Sequence, residues 1–170
     1  FQQFVDRQAI HDRLMRYSRG VDRLDREMLT SLFHPDATDD HGAFCGTRDE
    51  FLEGVIPLHY DGQITTHHHI TNHYCELDGD TAHSESYFLF TARNRDESVW
   101  IAGGRYLDRL ERRDGEWKIA FRYCLVEWAG GLPAGEMPFA AIPDVHLNGE
   151  PSRSRDDPSY RRPLVNRRPR

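Results

Sequence analysis

The stretch Thr65 to Tyr74, TTHHHITNHY, carries four histidines among residues that otherwise favour β-structure. An imidazole titrates close to neutrality, so one such ring can serve as a base, an acid or a metal ligand. On a strand the side chains alternate, which puts His67, His69 and His73 on one face and Thr66, His68, Ile70, Asn72 and Tyr74 on the other. In that reading His67 and His69 stand roughly 7 Å apart, close enough to share a metal ion. A metal needs further ligands, and nothing in the spacing of His34, His41, His59 or Glu85 requires them to converge there. A half-exposed polar strand face accounts equally well for His67 and His69, and no metal is expected. His68 shares its face with Ile70 and Tyr74, a mixture that suits the wall of a partly apolar pocket. A hydrogen-bonded core histidine would have similar neighbours, and spacing alone leaves both readings of His68 open.

The elements that would position these side chains follow from hydrophobic period. Phe4, Val5, Ile10, Leu14, Tyr17 and Val21 recur at helical spacing, so the first twenty-odd residues form an amphipathic helix whose end is weakened by Gly20. A short second helix is expected in DREMLTSLF, closed by an HPDA turn at Pro35 and Asp36. A third opens at Thr47, where Thr47 and Glu50 have the spacing of a capping box. From Gln63 onward the period becomes two. ITTHHHITNHYCEL, TAHSESYFLFTARN, SVWIAGGRYLDRLERR and EWKIAFRYCLVEW are long strands joined at Asp78-Gly79-Asp80, Asn94 to Glu97 and Asp114-Gly115. ATDDHGAFCG adds a short edge strand between the helices. The expected class is therefore α+β: helices closing a strongly curved antiparallel sheet, a cone-shaped α+β barrel with one concave face open to a ligand.

At 170 residues one domain is expected, over residues 1–130. Residues 131–170 are rich in Gly, Pro, Asp and Arg and read as a tail, either solvated or wrapped on a neighbouring subunit. The formal net charge of -6 argues against a general nucleic-acid binder, which must neutralise phosphates. No apolar run approaches the roughly 20 residues that span a bilayer. Cys45, Cys75 and Cys124 are widely spaced and form no CxxC, so the reducing cytoplasm is the expected setting. The first residue is Phe1 rather than Met, which leaves room for upstream residues or a removed targeting peptide.

Three motifs, YSRGVD, HHITN and LERRDGEWKIAFR, together resemble the SnoaL-like branch of the nuclear-transport-factor-like α+β barrels. The pattern is closest to gamma-hexachlorocyclohexane dehydrochlorinases and bile acid 7-alpha-dehydratases, with scytalone dehydratase more distant, and covers roughly Val5 to Trp128. The resemblance implies that His68, before ITN, is a proton-abstracting base and that Asp22, from GVD, orients it. It implies that Arg122, ending the Trp-Lys-x-x-x-Arg run, holds the leaving group or an anionic part of the substrate. Where the dehydrochlorinases have a lysine five residues before the aspartate, this chain has Tyr17, as the dehydratases do, which favours loss of water over loss of chloride.

That chemistry is self-consistent. A carboxylate accepting from one ring nitrogen fixes the tautomer and frees the other to take a proton, and no cofactor is required. The residues have plainer readings too. Asp22 could cap the second helix, Tyr17 could be core, and Arg122 could pair with Glu85 or Glu127. On a straight helix positions five apart differ by about 140 degrees, so Tyr17 and Asp22 meet in one pocket only if the helix loosens near Gly20 or the mouth is broad.

The expected function is a cofactor-independent lyase, a dehydratase acting on a small hydrophobic cyclic hydroxylated substrate from aromatic or steroid catabolism. Tyr74, Phe88, Phe90, Tyr106, Tyr123 and Trp128 are available to line its site. The alternatives are a ketosteroid-isomerase-like isomerase or cyclase, and the non-catalytic small subunit of a ring-hydroxylating dioxygenase. Related lyases suggest a homo-oligomer, with a trimer favoured.

Overall fold

The computed structural model describes residues 1–135 and 141–168. Three helices, α1 (Gln2–Asp22), α2 (Arg26–Leu32) and α3 (Arg48–Gly62), lie against a sheet of six strands. The strands are β1 (Phe33–Asp40), β2 (Cys45–Thr47), β3 (Gln63–Asp78), β4 (Thr81–Asn94), β5 (Val99–Arg113) and β6 (Glu116–Leu132). Their order across the sheet is β2-β1-β6-β5-β4-β3. The α+β architecture expected from the hydrophobic periods is the one observed. The sheet curls without closing, with β2 and β3 as its edges.

Two features depart from the expected all-antiparallel meander. The HPDA segment is not a turn, because β1 begins directly after α2, and it pairs in parallel with β6. Its ladder is irregular between Phe33 and Thr38, the stretch that holds Pro35, a residue with no N–H to contribute. β1 is thus an interior strand, and the edge falls to three-residue β2.

The buried stripe of α1 is Asp6, Ile10, Leu14, Tyr17 and Val21 with Gly20. Phe4 and Val5, expected in that stripe, are exposed, and the polar Asp6 is enclosed instead. Asp6 is satisfied there by the indole N–H of Trp117 (2.9 Å) and by Arg112 (3.0 Å). Gly20 does not loosen α1, which runs unbroken to Asp22. A Cβ at Gly20 would sit 2.9 Å from Leu29, so the glycine lets α2 pack against α1. Asp25, rather than Asp22, caps α2 by accepting from Met28 N–H. The capping box of α3 forms as its spacing predicts: Thr47 Oγ1 accepts from Glu50 N–H, and Glu50 Oε2 accepts from Thr47 N–H at 2.8 Å.

Bulges re-phase two strands. In β3 the register slips by one residue between Ile70 and His73. Beyond it Cys75 is buried and His73 turns inward to hydrogen-bond Ser84 Oγ (3.0 Å), while Tyr74 is 63 % exposed. Strict alternation had assigned His73 and Tyr74 to the opposite faces. In β6 a slip beside Ala120 brings Trp117, Ile119, Arg122 and Cys124 all inward, where simple parity separates the first two from the last two. A bulge places two residues opposite one and so inverts the alternation beyond it.

The chain after β6 returns to its own domain. Asp157 is buried, accepts from Ser152 N–H (2.9 Å) and Ser159 N–H (3.0 Å), and pairs with Arg23 of α1. Tyr160 lies under the guanidinium of Arg19, and Arg153 Nη1 donates to the carbonyl oxygens of His59 and Gln63 at the end of α3. Among the described residues no helix is long and apolar enough to cross a membrane.

Candidate active site

The last turn of α1 and the inward face of β3 meet at Asp22 and His68. The His68 ring donates from Nδ1 to Asp22 Oδ1 (2.7 Å), its backbone N–H donates to Oδ2 (3.0 Å), and the Thr66 hydroxyl donates to Oδ1 (2.9 Å). A carboxylate accepts only, so Nδ1 carries the hydrogen and Nε2 is left with its lone pair directed away from Asp22. Thr66 and His68 share this role because residues two apart on a strand face the same way. Burial works against the charged carboxylate of Asp22, but the hydrogen bonds from the His68 ring, the His68 amide and Thr66 outweigh it and hold its pKa below the ordinary value. The side chains of His68 and Asp22 are only 7 % and 13 % exposed, so the pair is shielded without being sealed.

Two aromatic groups fix the other sides of the imidazole. Phe90, paired across to His68 on β4, has its ring centre 4.7 Å away, and His59 of α3 meets it edge-on at 5.6 Å. His59 Nδ1 hydrogen-bonds Gln63 Oε1 (2.6 Å). Burial, opposed only in part by that bond, pushes the His59 pKa down to about 4, so near neutrality it is an uncharged neighbour.

Tyr17 and Arg122 are brought together, but in a separate cluster deeper in the core. The Arg122 guanidinium lies against the rings of Tyr17 (4.0 Å) and Tyr106 (4.2 Å), which meet each other edge to face at 5.6 Å. Its acidic partner is Asp108, through Nε (2.7 Å) and Nη2 (2.8 Å), and not Glu85 or Glu127, which both hold Arg105. Burial alone would favour loss of the Arg122 proton, and the Asp108 carboxylate more than reverses this. Arg122 and Asp108 have no solvent exposure, so the arginine that the resemblance marks as a leaving-group holder is enclosed by the two tyrosines. Burial likewise raises the Tyr17 phenol, which keeps it protonated. Tyr17 and Asp22 point in different directions, as five residues of unbroken helix require.

The two clusters belong to one aromatic wall. His68 touches Phe90, and Phe88, two residues before it on the same face, stacks on Tyr106 at 4.7 Å. Of the six aromatics proposed as lining, Phe88, Phe90 and Tyr106 face inward, whereas Tyr74 and Trp128 are more than half exposed. His67 and His69 point outward, their ring centres 5.9 Å apart. Among the described residues no three His, Cys, Asp or Glu side chains converge as metal ligands would. His34 instead bonds the carbonyl oxygen of Glu111 (2.9 Å).

Thr66, His59, Gln63 and Asp108 are parts of the site that motif reading did not assign. Thr66 was accessible through its parity with His68, and Gln63 through its four-residue spacing from His59. Nothing local marks Asp108 as the partner of Arg122, since that pairing depends on the register of β5 and β6.

Among solved structures, hexachlorocyclohexane dehydrochlorinase LinA-type3 from Novosphingobium barchaimii LL02 superposes with a TM-score of 0.71 at 20% identity, covering 80% of this chain and 97% of that one. A scytalone dehydratase candidate from Novosphingobium aromaticivorans gives 0.70 at 24%, covering 80% and 95%. The Kfla4162 protein from Kribbella flavida gives 0.70 at 16%, covering 75% and 95%. No curated protein matches the chain. These structures share the fold. The model of the SnoaL-like domain matches residues 2–123, from the start of α1 through Tyr123 of β6, and the chain belongs to that family.

Proposed function

We propose that this chain is a cofactor-independent lyase in which His68, oriented by Asp22, removes a proton from carbon and water is lost from a hydrophobic cyclic alcohol. The observation that carries this reading is the grip of one carboxylate on both the ring and the backbone amide of His68, which leaves Nε2 as the free nitrogen. An imidazole is a weak base, so the C–H must be acidified by a neighbouring group such as a carbonyl. A ring ketone with a hydroxyl on the β carbon meets that need. His68 takes the α proton, the C–H electron pair forms the new double bond, and the departing hydroxyl takes that proton back from the His68 imidazolium and leaves as water, which restores the neutral base. Asp22 stabilises the resulting imidazolium, and positioned transfer of this kind is worth about 10²- to 10⁴-fold. Tyr17, Tyr106 and Phe88 supply the apolar wall, while Arg122 acts through the two tyrosines it packs against and is a positioning residue. The names of the dehydrochlorinase and of the dehydratase candidate that share the fold support an elimination.

The test is incubation of the purified chain with cyclic β-hydroxy ketones, beginning with 3-hydroxycyclohexanone, following the enone absorbance. Wild type should form enone, and His68→Gln and Asp22→Asn should not while retaining wild-type circular dichroism. Either variant keeping the wild-type rate would overturn the assignment. Deuterium uptake from heavy water at the α carbon with no enone formed would instead mark an isomerase.

A further inference from the structure

A second His–Asp pair stands at the other end of the aromatic wall. His41 Nδ1 is hydrogen-bonded to Asp39 Oδ1, and Asp39 is wholly buried while the His41 side chain is 22 % exposed. Asp39 is fixed by the pairing of β1 opposite Arg122 on one side and Gly46 on the other. Its second oxygen, Oδ2, is buried and has no hydrogen-bond partner among the described residues. A buried carboxylate with unused acceptor capacity is costly to a fold.

The His41 ring borders the same aromatic cluster as His68. It stacks on Phe51 of α3 at 4.7 Å and lies 6.0 Å from Tyr106, which leads through Phe88 and Phe90 to His68. The helix α3 spans the two ends, with Phe51 against His41 and His59 against His68. Those positions are eight residues apart, about 12 Å of helix axis.

We propose that His41, backed by Asp39, is a hydroxyl-binding subsite at the end of the aromatic wall remote from His68. This rests on the reading of His68 as the base that faces the substrate. With Nδ1 committed to Asp39, Nε2 is the nitrogen left for a ligand. A hydroxyl satisfies it in either protonation state, donating to the bare nitrogen or accepting from N–H. The ligand class is therefore a cyclic compound with a hydroxyl across the ring from its reacting carbon.

Calorimetric titration of the full chain with 4-nitrophenol and with nitrobenzene, which differ by one hydroxyl, tests this. Wild type should prefer the phenol by about tenfold, the worth of one good hydrogen bond. His41→Gln and Asp39→Asn should lose that preference while binding nitrobenzene as before, and His68→Gln should keep it. His41→Gln alters a partly exposed side chain, and its fold is checked by circular dichroism. A wild type that does not prefer the phenol, or a preference abolished by His68→Gln and kept by His41→Gln, would overturn the subsite. Turnover is not the readout, so failure of the elimination reading appears separately, as His68 and Asp22 variants that keep the wild-type rate on hydroxy ketones.

Discussion

Asp108 takes the guanidinium of Arg122 through both of its oxygens, with neither side chain exposed to solvent. Two charges removed from water stabilise little as a pair, but removing one partner strands the other, at about 3–5 kcal/mol. Asp108→Asn is therefore expected to lower the urea midpoint sharply, with Arg122 left charged against Tyr17 and Tyr106. Replacing both, as Asp108→Leu with Arg122→Met, should recover most of the loss. A single-variant cost below about 1 kcal/mol, the range of exposed ion pairs, would contradict the buried arrangement.

For the dyad, the three hydrogen bonds into Asp22 rank the variants. Asp22→Asn should reduce kcat by about 10²-fold or more, because the amide can present a donor where the imidazole needs an acceptor. Thr66→Val removes one of the three bonds and should cost roughly tenfold or less. His67→Ala and His69→Ala, on the outer face, should leave kcat and KM within about twofold. Steady-state rates on whichever β-hydroxy ketone turns over fastest give all four comparisons.

His59 makes stability depend on pH. Its folded pKa is about 4, whereas a free imidazole protonates near about 6.5. As pH falls, the unfolded chain binds this proton first, so stability is full above about 6.5 and declines between about 6.5 and 4. The decline from this one group is about 3 kcal/mol at most. Asp22, with its lowered pKa, adds a loss in the same direction as pH falls through the carboxylate range. Urea unfolding at a series of pH values should show the slope in wild type, and His59→Phe should flatten it above pH 5. An equal slope in the variant would assign the effect to other groups.

Asp157 anchors the returning tail through two backbone amides and Arg23. Asp157→Ala should raise amide exchange across residues 150–162 and lower stability by about 1–2 kcal/mol. It should also free Arg153 from the carbonyl oxygens of His59 and Gln63, visible as faster exchange at the end of α3. Unchanged exchange in both segments would mean that the tail is held by other contacts.

The layout of the fold was legible because its strands are long and their period is clean. β4 and the capping box of α3 fall where the residues predict. What was not legible came from tertiary choices that period cannot encode. Trp117 and Arg122 share a face only because Ala120 is extra, and His73 turns inward only because β3 slips. Asp6 reads as a solvated helix residue until Trp117 and Arg112, more than a hundred positions away, close on it. The Asp22 and His68 pairing was accessible from motif, whereas Asp108 had no local signature because its partner lies one hairpin later. Residues 152–160, in the stretch whose composition reads as solvated or wrapped on a neighbouring subunit, meet α1 and α3 through polar contacts that composition does not distinguish from surface charge.

The slip in β3 divides one strand into two stretches of opposite phase. From Thr66 to Ile70 even-numbered positions address the interior; from His73 onward odd-numbered ones do. Excising Thr71 or Asn72 would remove the extra residue and restore plain alternation from Ile70 onward, with His73 and Cys75 still inward and Tyr74 still outward. Substitutions meant for the convex side of this molecule must therefore be counted from the slip rather than from the histidines.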